Sequence, residues 1–335
     1  MRFRNSPLVR LLIGIAISAV FLGVTLSRVN LEEAAAAIGQ AAPGLLLVAL
    51  LIVLVDLCLR ALRWHVLLLN VEGAGARPPY RLAFGYLTLG YAANAVLPAR
   101  LGDVARAMLA AGTFKTPRLA ILGTVAIERV SDGLIMLGLA ILSSLVVASS
   151  SEFQELTGIA IALVVVGLVA GVIGWIALTR TRLATTRIGG VVTGIVGRLS
   201  SGAGALRHAG SAIAFFGLTV VLATTAILVA WTVLQAVGVE LSPIETVLFL
   251  SGIALSLAIP AAPGALGTHE LFGVAIITGL GYTPEQGLAT IFLMRIITTF
   301  PPALIGLVSI WALHVRPDAI AGSAEVAADA ESAST

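Results

Sequence analysis

The chain has 335 residues, of which 59% are hydrophobic and 11% charged, with a formal net charge of +3 and a mean hydropathy of +1.05. Soluble domains carry about a quarter charged residues, and a fold in water cannot hide this much apolar surface, so soluble enzyme and carrier folds are excluded. The basic residues are scattered between apolar blocks and leave no nucleic-acid footprint. The blocks are continuous rather than alternating, which excludes an outer-membrane barrel and requires helices.

The first apolar block, 8–27, follows Arg2, Arg4 and Arg10. It is long for a secretory signal, and Arg28-Val29-Asn30 lacks a small-x-small cleavage pattern, so it reads as a retained anchor. Blocks 45–64, 119–148, 156–178, 213–237 and 284–313 are also near or beyond the roughly 20 residues that cross a bilayer core. That gives six predicted crossings. Block 82–112 is broken at Leu97-Pro98-Ala99-Arg100-Leu101-Gly102, and block 244–280 at Pro260-Ala261-Ala262-Pro263-Gly264. Each leg is about 12 to 17 residues, roughly 18 to 25 Å as helix, short of a crossing.

Charge parity makes each broken block a re-entrant hairpin. Arg77 and Arg81 precede the first break, and Arg180, Arg182, Arg187, Arg198 and Arg207 follow two later crossings. The positive-inside rule wants both groups cytoplasmic, so block 82–112 must enter and leave on one side. The same parity between Arg207 and Arg316 makes 244–280 a second hairpin, entering from outside. Both termini then face the cytoplasm. Arg28 is the only basic residue outside, where Glu32, Glu33, Glu152, Glu155, Glu240, Glu245 and Glu285 also fall. The expected architecture is an all-α integral membrane protein of the cell inner membrane, with six full transmembrane helices and two re-entrant helical hairpins. Residues 1–315 form a single membrane domain, and 316–335 a disordered cytoplasmic tail.

The two hairpins correspond in sequence. Pro98-Ala-Arg-Leu-Gly102 matches Pro263-Gly-Ala-Leu-Gly267, Thr116-Pro117 matches Thr283-Pro284, and Arg129 matches Arg295. Proline to arginine is 31 positions in one and 32 in the other. Halves of about 8–150 and 156–315 each read as crossing, surface segment, crossing, hairpin, crossing, the second inserted upside down. Inverted repeats of this kind mark transporters whose broken helices meet around a substrate near the midplane. Pro98, Gly102, Pro263 and Gly267 are the expected gating positions.

Charges fall inside the apolar blocks, each costing about 2.5 to 3.5 kcal/mol at the bilayer centre unless it is paired or hydrated. Asp56 and Arg60 are one helical turn apart, as are Glu128 and Asp132, and Asp103 shares a face with Arg106. Arg60, Arg63 and Trp64 read as a basic-aromatic interface anchor. The sole lysine, Lys115, stands outside any phosphate-loop pattern, and neither a His-Glu-x-x-His nor a Gly-x-Ser-x-Gly motif occurs. Cys58 is the only cysteine, and no cofactor or metal is expected.

Arg60-x-x-Arg63-Trp64, Asn94-x-x-Leu97-Pro98-x-Arg100-Leu101-Gly102-Asp103-x-x-Arg106, Glu128-Arg129-x-x-Asp132, Pro263-Gly264-x-Leu266-Gly267-x-x-Glu270 and the late Arg295 resemble the flippase-like membrane family. That family includes the membrane half of lysylphosphatidylglycerol synthase, the multiple peptide resistance factor. The likeness runs over about residues 8–315. Asp103 departs from it, standing where the family usually has glutamate, and no aminoacyl-transferase domain follows Arg316. The resemblance implies movement of a membrane lipid or lipid-linked substrate between leaflets rather than lipid aminoacylation. In that reading Arg100, Arg129 and Arg295 meet anionic oxygens and Asp103, Glu128 and Glu270 any cationic part, with Asn94, Arg106, Asp132 and His269 completing the candidate site. The alternatives are an intramembrane enzyme using Glu270 or Asp103 as general acid-base with His269 assisting, and a non-catalytic subunit partnering a lipid synthase or glycosyltransferase.

Overall fold

The computed structural model describes residues 19–71, 77–96, 101–147, 201–256 and 266–313, and every regular element among them is helical. After helical residues 19–26 come α1 (Leu31–Gln40), α2 (Pro43–Leu68), α3 (Tyr80–Val96), α4 (Leu101–Phe114) and α5 (Arg118–Val147). A 3₁₀ turn at Ser201–Arg207 precedes α6 (Ala209–Ala236), α7 (Pro243–Ser256), α8 (Thr268–Gly279) and α9 (Pro284–Ala312). Helices α2, α5, α6 and α9, of 26, 30, 28 and 29 residues, are long and apolar enough to cross a membrane. They coincide with four of the six expected crossings. Block 156–178 and most of 8–27 lie outside the described residues.

Local chemistry sets the helix ends. The Asn30 side chain accepts from the backbone N–H of Glu32 at 3.0 Å and caps α1. Thr283 and Gln286 form a reciprocal capping box at the start of α9, where Pro284 occupies the first turn; its missing N–H would have had no helical partner there. Within the long helices, Thr219, Thr225, Thr232 and Ser143 return their hydroxyls to carbonyls three or four residues back, so these polar groups carry no unmet hydrogen bond in an apolar setting. Outward faces are apolar: Leu145 on α5 is 74% exposed, Ile213 on α6 73% and Trp311 on α9 82%. Large apolar side chains so far exposed mark a surface meant for lipid.

Each broken block is a pair of short helices packed together, α3 with α4 and α7 with α8. At 17, 14, 14 and 12 residues they measure about 18 to 25 Å, below the core thickness. The tips at 97–100 and 257–265, with Pro98, Arg100 and Pro263, lie outside the described residues. Gly102 makes the first pair close: a Cβ there would overlap the Gly90 carbonyl oxygen and stand 2.7 Å from the Asn94 nitrogen. Gly267, just before α8, has φ +85°, a conformation that favours glycine.

The packing is reciprocal. Helix α3 lies on α9 and α7 lies on α5, while α4 also contacts α5 and α8 contacts α9. One apolar cluster, with Leu57, Trp64, Leu87 and Ile121, joins α2 to α5; another, with Leu234, Phe249, Ile277 and Ile291, joins α6 to α9. Helices α2 and α6 form the seam, through Val53, Val229 and Val233. At the α3–α9 crossing a Cβ on Gly306 would overlap the Thr88 carbonyl, and the Thr88 and Ser309 hydroxyls meet at 2.9 Å. Small residues and interhelical hydroxyl bonds hold helices together where lipid supplies no hydrophobic drive.

Candidate functional site

Three arginines and three carboxylates from α2, α4 and α5 alternate around a closed ring. Arg106 Nη2 donates to Glu128 Oε2 at 2.9 Å, and Arg106 Nε lies 3.2 Å from Asp103 Oδ1. Asp103 Oδ1 accepts from Arg129 Nη2 at 3.1 Å, and Arg129 Nη1 stands 4.0 Å from Asp132 Oδ2. Asp132 pairs with Arg63, whose Nη2 donates to Oδ2 at 3.0 Å, and Arg63 Nε closes the ring 3.5 Å from Glu128 Oε1. The formal charge of the six groups is zero. Arg106 also stacks 4.7 Å over the Trp64 ring, and Trp64 donates to the Thr124 hydroxyl at 3.0 Å.

This arrangement revises several sequence expectations. Arg63 and Trp64 are 2% and 0% exposed, so they sit inside the protein rather than at the interface: Arg63 finds acidic partners on α5 and Trp64 fills the α2–α5 core. Arg106 and Glu128, at 1% and 3%, pair with each other, with Asp103 and with Arg63, and neither lines the cavity beside the ring. Asn94 sits at the α3–α4 contact beside Gly102, its Oδ1 buried and without a hydrogen bond.

A cavity of about 430 Å³ opens beside the ring, and Arg60, Arg129 and Arg295 line it with Asp56, Tyr91 and His269. Each arginine is held by a carboxylate. Asp56 holds Arg60 one turn away and accepts from the Thr225 hydroxyl at 2.6 Å. Asp103 holds Arg129, and Glu270 holds Arg295 at 2.7 Å while accepting from the Gly267 N–H at 2.6 Å. The Arg129 and Arg295 side chains are 35% and 22% exposed against 12% and 9% for Asp103 and Glu270, so guanidinium faces the cavity and carboxylate stands behind it. His269 Nδ1 meets the buried Ser256 hydroxyl at 3.1 Å, joining the end of α7 to the start of α8.

Arg129 stands eleven positions after Arg118 at the start of α5, and Arg295 eleven after Pro284 at the start of α9. Eleven residues of helix span about 16 Å, roughly half a hydrocarbon core. Sequence reading paired these two arginines; it missed that Arg60 joins them and that α9 carries Pro301-Pro302 next to the cavity. The i,i+3 and i,i+7 spacing from Arg295 to Thr298 and Pro302 signals a shared helix face.

No individually curated protein matches the chain. A family model described as the lysylphosphatidylglycerol synthase TM region matches residues 11–306.

Proposed function

The chain belongs to the family of the lysylphosphatidylglycerol synthase TM region, and on that premise we propose that this multi-pass membrane protein moves a polar lipid head group between leaflets. The observation that carries the reading is the convergence of Arg129 and Arg295, from corresponding places on α5 and α9, on one cavity. A head group entering it replaces hydration with guanidinium contacts while its tails remain in lipid. Reciprocal packing of α3 on α9 and α7 on α5 supports two inverted halves, each with a re-entrant pair of short helices, that rock about the α2–α6 seam to open the cavity to one side and then the other.

The purified chain in liposomes is expected to speed leaflet exchange of a fluorescent phospholipid and return it chemically unchanged. A new lipid species would favour the enzyme, and neither exchange nor conversion the partner subunit. Topology has its own test. With Cys58 replaced by serine, Glu240→Cys is expected to label in intact cells, and Lys115→Cys only after permeabilisation; both positions are exposed. Labelling of Lys115→Cys from outside would make 82–112 a crossing rather than a re-entrant pair.

A further inference from the structure

We propose that the cavity selects a phosphorylated polyol head group, an inference that rests on the head-group reading above and names its substrate class. The cavity presents three guanidiniums and one carboxylate, Asp56, and that carboxylate is already engaged by Arg60 and the Thr225 hydroxyl. A cationic head group therefore meets no available counter-charge, whereas an anion meets several donors. Arg129 gives Nη2 to Asp103, and its Nη1 reaches Asp132 only at 4.0 Å. A phosphate oxygen can be taken by Nη1 of this guanidinium without breaking the Asp103 pair.

The opposite need is met on α9. Proline has no N–H, so Pro301 and Pro302 deprive the carbonyls of Ile297 and Thr298 of their helical donors. Thr298, Thr299 and Pro302 line the cavity one to two turns beyond Arg295. A carbonyl left in this way in an apolar setting needs a donor, and a hydroxyl of the ligand supplies one. A donor for phosphate, Arg295, and a residue whose carbonyl lacks its helical donor, Thr298, thus line the cavity on adjacent turns of α9. The 430 Å³ corresponds to roughly fourteen waters at about 30 Å³ each, room for a phosphorylated ring.

The test is binding to the purified full chain of four dioctanoyl lipids: phosphatidylinositol, phosphatidylmethanol, phosphatidylcholine and a neutral glucosyl diacylglycerol. Phosphatidylinositol is expected to bind at least about tenfold tighter than the choline and glucosyl lipids, with phosphatidylmethanol, anionic but lacking hydroxyls, between them. Pro302→Ala restores an N–H to the Thr298 carbonyl, favours the helix, and is expected to bring phosphatidylinositol down to the phosphatidylmethanol level. Equal binding of the neutral or choline lipid overturns the phosphate site. An undiminished inositol advantage in a folded Pro302→Ala protein overturns the hydroxyl site. Selective binding without leaflet exchange would uphold this inference and sink the transport reading; exchange indifferent to head group would do the reverse.

Discussion

Glu128→Ala is expected to yield protein that fails to stay folded in detergent. Its carboxylate is 3% exposed and lies 2.9 Å from Arg106 and 3.5 Å from Arg63. Both guanidiniums are themselves almost wholly buried. Removing one partner of a buried pair costs about 3 to 5 kcal/mol because a desolvated charge is left behind, and here two arginines share the loss. The companion variant Arg106→Met with Glu128→Leu removes one charge of each sign. Arg63 with Asp132 and Arg129 with Asp103 then remain balanced, and methionine can still pack against Trp64. Thermal melting followed by size-exclusion chromatography should find Glu128→Ala aggregated and the double variant close to the parent. A Glu128→Ala protein that melts like the parent would mean the ring does not hold these helices.

Arg129→Lys and Arg295→Lys are expected to fold normally and to lose about tenfold or more of leaflet exchange. Lysine keeps the positive charge toward Asp103 or Glu270, so no buried carboxylate is orphaned. It cannot reproduce the fork that meets two oxygens at once. If the arginines serve only as partners of those carboxylates, the result is the opposite: lysine variants stay active, and alanine variants lose stability along with activity. Exchange rates and melting curves for both substitutions at both positions separate these outcomes. Arg60, held by Asp56 within its own helix, offers a comparison on the same cavity wall.

Features governed by local sequence were the ones that could be read in advance. Continuous apolar runs announced α2, α5, α6 and α9, since bilayer thickness sets a minimum length whatever the neighbours. The breaks near Pro98 and Pro263 announced paired short helices, because proline and glycine interrupt a helix on their own. The Asp56–Arg60 and Asp103–Arg106 pairs followed from helical spacing, and the structure places both in contact. The partner of Arg63 could not be read in this way: Asp132 is 69 positions distant, and only the packing of α2 on α5 brings them together. An arginine followed by tryptophan near a helix end looks the same in sequence whether it meets lipid head groups or buried acids. The division of the candidate site into a closed ring and an open cavity has the same origin, since Glu128 and Arg129 are adjacent in the chain yet face different surroundings.

The ring also bears on how the protein enters the membrane. Its charge is balanced only across helices: α2 brings Arg63, α4 brings Asp103 with Arg106, and α5 brings Glu128, Arg129 and Asp132. Arg63 is synthesised well before either of its acidic partners, and a lone arginine at depth costs about 2.5 to 3.5 kcal/mol on insertion scales. Helix α2 therefore gains by waiting beside the insertion machinery until α5 emerges, so that the six charges of the ring enter lipid already balanced against one another.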